Sequence, residues 1–146
     1  MVYLVNPIIR IMGEFTVKTR KVMSVGLPAT KNMAVMAVSQ FMGANYRVIK
    51  PEELHKTLGS LFGAVGVDEN PGEYDIPEKE LENGEMIIFA GFDGDDINVF
   101  LEKFRKMKVG TVLFKALLTE YNVLWSPVFL YSELEKEQSE IEKSEK

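Results

Sequence analysis

Residues Met86–Ala90 read MIIFA, five apolar residues in a row with no polar alternation. A strand with that pattern is buried on both faces, which requires cover above and below the sheet. The rest of the chain offers that cover. Short apolar runs alternate with stretches of helical period, the pattern of an α/β sheet with helices on its faces.

Val22–Gly26 (VMSVG) reads as a strand, and Thr30 is a candidate N-cap for a helix running to about Met42. The stripe of that helix is Met33, Ala34, Met36, Ala37, Val38 and Phe41, with Gly43 as its stop. Tyr46–Ile49 (YRVI) is a second strand. Pro51 fits the first position of a helix carrying Leu54, Leu58, Leu61 and Phe62, which Gly63 ends. After MIIFA, Asp93 caps a helix with Asp95 and Asp96 in its first turn and stripe residues Ile97, Phe100, Leu101 and Phe104. Lys103, Arg105, Lys106 and Lys108 lie toward its end, the favourable sign for the macrodipole. Val112–Leu118 (VLFKALL) is a fourth strand. Ser126-Pro127 opens the last helix, with Trp125 and Leu130 at the positions of a hydrophobic staple.

These elements predict one domain over residues 1–146, of α/β class. The expectation is a small four-stranded, mostly parallel sheet, with a ferredoxin-like α+β sandwich as the alternative. Residues 22–63 and 86–146 form two βαβα halves, the second ending in a polar tail. Residues 1–20 read as an N-terminal β-hairpin or extension, IIRIM and FTVKT flanking Gly13-Glu14. The apolar start lacks a basic leader and a small-residue cleavage site, so no signal peptide is expected.

Residues 64–85 differ from the rest. They hold Pro71, Pro77 and eight acidic residues against the single base Lys79. Connections longer than about 12–15 residues are uncommon in compact domains and often functional. Residues 68–85 carry −7 and the tail 133–146 carries −3, within a whole-chain charge of −5, leaving +5 for the remainder.

Composition removes several chemistries. There is no cysteine, so thiol catalysis, iron–sulfur clusters and disulfides are excluded. With His55 the single histidine, a multi-histidine metal site within one chain is impossible. No run reaches the ~18 apolar residues of a membrane helix. Asp93-Gly94-Asp95-Asp96 has acids but not the spacing of a calcium loop. Glu52 and His55 make a Glu-x-x-His half-motif without its second half. Gly59, Gly63 and Gly66 match neither nucleotide-binding glycine pattern. No metal and no cofactor is therefore expected.

The sharpest constellation is Lys115, Thr119, Asn122 and Trp125, where a strand ends and a helix begins. A lysine charge, two hydrogen-bonding side chains and a stacking face together suit a ligand surface at the carboxyl ends of strands. In a parallel sheet Thr30 and Asp93 join it on the same edge. The plainer reading is that Thr119 and Asn122 close a turn and Trp125 staples a helix.

The pattern Lys115-Ala116-x-x-Thr119-x-x-Asn122-x-x-Trp125, with MIIFAGF before it and SPVFLYSELEKE after it, resembles an uncharacterised bacterial family. That family is number three-seven-eight-three of the domain-of-unknown-function series. The likeness covers residues 86–137 well and 22–63 loosely. It implies a fold and a candidate surface, and no reaction.

The functional expectation is a small cytoplasmic binding or regulatory module without catalysis, taking a small ligand or a protein partner, with homodimerisation in view. A small enzyme using Asp93, Lys115 and Glu120 for acid–base work is the alternative, though no nucleophile–base pair is visible. Nucleic-acid binding by the basic remainder stands third, without a signature motif.

Overall fold

A computed structural model describes residues 2–4, 19–81 and 84–144. Its elements are β1 (Val2–Leu4), β2 (Lys21–Val25), α1 (Ala29–Phe41), β3 (Asn45–Val48), α2 (Leu58–Leu61), β4 (Met86–Ala90), α3 (Gly94–Lys106), β5 (Phe114–Leu117) and α4 (Pro127–Ser144). The expected hairpin around Gly13-Glu14 lies outside the described residues.

The strands form one sheet in the order β1-β5-β4-β2-β3. The pairs β1·β5, β4·β5 and β2·β3 are parallel, while the central pair β2·β4 is antiparallel. The fold is therefore α/β with a mostly parallel, mixed sheet, and the ferredoxin-like alternative is not the one adopted. Two parallel βαβ units, β2-α1-β3 and β4-α3-β5, lie side by side, related by an approximate two-fold axis through the sheet. Same-handed crossovers in units so related place both helices on one face, and α1 and α3 do pack together there.

The antiparallel centre follows from residues 49–85. They leave β3 and re-enter the sheet at β4 on the same edge, since Val25 pairs with Met86 and Lys21 with Ala90. A connection that does not cross the sheet reverses the next strand. Strand carboxyl ends consequently lie on two edges, not one.

MIIFA is buried along its whole length, as its composition demands. Ile87 and Phe89 face α1 and α3, with Val22, Val35, Phe100 and Leu117. Met86, Ile88 and Ala90 face α2 and α4, with Phe62, Phe114, Leu130 and Leu134. Fully burying side chains of this size contributes about 1.5–3 kcal/mol each before entropy is counted.

Local expectations change at three places. First, α1 starts at Ala29 behind Pro28, so Thr30 lies inside the helix and does not cap it. That helix buries Ala34, Val35, Val38 and Ser39 and turns Met33, Met36 and Phe41 outward. Second, the helix expected from Pro51 divides into a 3-10 turn, Pro51–Glu53, and the short α2. Thr57 restarts it, its hydroxyl accepting from Ser60 N and donating to Asp68 O. Third, β5 begins at Phe114, so Val112 belongs to the turn before it.

The acidic connection is fastened to the α2/α4 face. Ser126 Oγ donates to Asp75 Oδ1 at 2.7 Å, His55 Nδ1 lies 2.9 Å from the same oxygen, and Lys79 Nζ meets Glu135 at 3.0 Å. Tyr74 and Phe129 meet edge to face at 5.8 Å.

Candidate functional site

The six residues singled out in the sequence separate onto the two sheet edges. Asp93, Thr119 and Asn122 follow β4 and β5 on one edge; Thr30 follows β2 on the other. A single crevice containing all of them does not form, because β2 runs against β4. Lys115, second residue of β5, pairs with Ile87 near the start of β4 and so lies toward the Thr30 edge.

Thr119 and Asn122 build a buried turn. Asn122 Oδ1 accepts from Thr119 N at 2.8 Å, and its Nδ2 donates to Leu117 O at 3.0 Å. Thr119 Oγ1 accepts from the amides of Tyr121 and Asn122. Side-chain amides commonly close turns in this way. Trp125 packs edge to face on Phe129 at 5.1 Å, and its carbonyl accepts from Leu58 N. Ser126 Oγ caps α4 through Phe129 N. Asp93 caps α3 by a reciprocal pair: its carboxylate accepts from Asp96 N at 2.8 Å, and Asp96 returns the bond to Asp93 N at 3.2 Å.

Lys115 is the exception. It is 1% exposed, set into the face covered by α1 and α3. Strand alternation sends Phe114 and Ala116 into the opposite layer, which fixes this orientation. An ammonium has three N–H donors. Among the described residues, Nζ finds one acceptor, Val112 O, and no carboxylate within ion-pair distance. Burial, with Lys31 nearby as a lesser contribution, lowers its pKa from 10.5 to about 8.

Lys115 also lines a cavity of about 310 Å3 between α3 and the turn entering β5. Leu101, Phe104 and Val112 supply apolar walls. Asn98, Glu102, Arg105 and Thr111 supply polar ones. Glu102 lies 3.7 Å from Lys106. Lys31 is held by Glu85 at 2.6 Å and by Thr111 O at 2.7 Å, which pins the turn against α1. Arg105 makes no ion pair among the described residues. Asn98, Leu101, Glu102 and Arg105 recur at i, i+3, i+4 and i+7, one stripe beside the core stripe of α3. That periodicity was legible in the sequence, where Arg105 reads as macrodipole complementation alone.

Residues 85–141 match the family model described as a domain of unknown function (DUF3783). The matched segment is β4-α3-β5-α4, and it contains every residue lining the Lys115 cavity. The resemblance read from residues 86–137 thus holds over this segment, while β2-α1-β3 lies outside it. No curated protein and no solved structure matches the chain.

The acid–base trio is not assembled. Asp93 and Glu120 are exposed, and neither bonds to Lys115. Among the described residues no cluster of three or more acidic or histidine side chains is arranged to hold a metal. None of the described helices is long and apolar enough to cross a membrane.

Proposed function

We propose that this protein is a small binding module, without catalysis of its own, whose ligand occupies the cavity beside Lys115. One observation carries the reading: a buried lysine with two spare donors and, among the described residues, no carboxylate partner forms part of a cavity wall. Burying a charge without a partner costs several kcal/mol. A fold gains nothing from that cost unless the charge meets something from outside. Pockets that hold small molecules start near ~300 Å3, with apolar walls and a few convergent polar groups, and this cavity has both. Thr119, Asn122 and Trp125 act behind it, holding the end of β5 in place, and do not touch the ligand. A cytoplasmic setting and self-association belong to the same proposal and rest on the sequence alone.

Native mass spectrometry of gently purified protein is the test. The expected spectrum shows a retained small molecule on the wild-type chain that is absent from Lys115→Met. Wild-type and variant chains that both run at their own sequence masses, with nothing retained on either, would end the reading. The same spectrum reports whether the chain is a monomer or a dimer.

A further inference from the structure

Resting on that reading of the site, we infer that the ligand is a small organic anion, a carboxylate joined to an apolar body. The two halves of such a molecule match the two kinds of wall. Lys115 and Arg105 are the cavity's cations, one buried and the other at the exposed surface, and neither has a carboxylate partner among the described residues. Of the other charged groups of the neighbourhood, Lys31 is engaged and Glu102 stands exposed at the rim. Glu102 faces Lys106, and Lys31 is held by Glu85 and Thr111 O. A carboxylate entering the cavity would accept the spare N–H groups of Lys115, and charge-assisted bonds of this kind are about twice as strong as neutral ones. Leu101, Phe104 and Val112 then offer an aliphatic and aromatic lining to the remainder of the molecule. An ion with no apolar part, such as inorganic phosphate, would leave that lining uncovered. A polyanion would meet Glu102 at the rim.

The charge on Lys115 makes binding depend on pH. The groups facing it are Arg105 and Glu102 from α3 and Lys31 from α1, with Gly110, Thr111 and Val112 between them. With a pKa of about 8, the charged fraction of Lys115 falls from about nine-tenths at pH 7 to about one-tenth at pH 9. Carboxylate affinity should fall about tenfold over that interval.

The experiment is an NMR titration of 15N-labelled full-length protein with benzoate, hexanoate, benzamide and inorganic phosphate, at pH 7 and pH 9. Benzoate or hexanoate should shift the amides of residues 98–105 and 110–115, at least about tenfold more tightly than benzamide or phosphate. Lys115→Met should remove the preference for benzoate over benzamide and abolish its pH dependence. Arg105→Gln changes only an exposed side chain, so it keeps the proposal testable if Lys115→Met fails to fold; it should weaken benzoate severalfold and spare benzamide. Equal binding of benzoate and benzamide would overturn the anion while leaving the cavity as a binding site. Failure of both carboxylates to shift these amides by about 10 mM would also overturn it, and native mass spectrometry would then decide the broader reading separately.

Discussion

Replacing Lys115 with methionine should make the protein more stable near neutral pH, against the usual direction of a core substitution. The pKa of Lys115 is lowered from 10.5 to about 8, chiefly by burial and to a lesser degree by Lys31. The displacement corresponds to about 3 kcal/mol of differential cost between folded and unfolded chains. The sign follows from proton counting. Below pH 8 both states hold the proton, so the cost of burying the charge is present in full. Between pH 8 and 10.5 the unfolded chain keeps its proton while the folded chain releases it, so stability rises with pH. Above 10.5 neither state is charged, and the cost is gone. From pH 8 to pH 10 the gain should be about 2 kcal/mol, or roughly 6 °C in Tm for a chain of this size. Tyr46 and Tyr131 have pKa values raised by burial, and their ionisation opposes folding only above about pH 10. Lys115→Met keeps the unbranched chain and loses the bond to Val112 O, worth about 1 kcal/mol. The variant should therefore exceed the wild type by about 2 kcal/mol at pH 7, with the gap closing by pH 10. Thermal and urea unfolding at pH 7, 8, 9 and 10, in both proteins, measure this. A variant less stable than wild type at pH 7, with a difference that does not vary with pH, would refute the buried-charge argument.

Other perturbations read the frame around the site. Asn122→Ala removes two hydrogen bonds in a buried turn and strands the Thr119 amide, so urea unfolding should show a loss of about 2–3 kcal/mol; a loss below about 1 would mean water replaces them. Gly26→Ala places a methyl 1.7 Å from Gly84 O at a residue with φ of +76°, and should cost at least about 2 kcal/mol in the same assay. Asp75→Ala releases both Ser126 and His55, so limited proteolysis should cut between residues 64 and 81 faster while β4 and α3 stay protected from hydrogen exchange. Unchanged cleavage would show that Tyr74, Lys79 and Thr57 suffice to hold the connection.

Local features were legible in the sequence because their causes are local. Asp93 and Asp96 cap α3 through bonds three residues apart, and MIIFA declares a two-sided strand from its composition. The turn chemistry of Thr119 and Asn122 was also readable, as was the resemblance that the family model bears out over residues 85–141. The first half was read less well. The stripe assigned to α1 held Ala34 and Val38, which are buried, together with Met33, Met36 and Phe41, which turn outward. The sheet accepts the smaller Ala34, Val35 and Val38, while the ammonium of Lys103 lies 4.0 Å over the ring of Phe41 at the surface.

Tertiary structure decided which edge each strand presents and what Lys115 touches. The sequence shows that residues 49–85 join the two halves, but not whether that connection crosses the sheet. It returns to the edge it left, β2 meets β4 antiparallel, and Thr30 is thereby separated from Asp93 and Asn122. Lys115 lies in a strand of two apolar neighbours, and its spacing fits a solvated end as well as a buried one. Its burial depends on α3 and the 110–112 turn folding over it, contacts set by helix docking. Capping and alternation are properties of a few adjacent residues; desolvation is a property of everything packed around a charge, and only the folded chain brings that together.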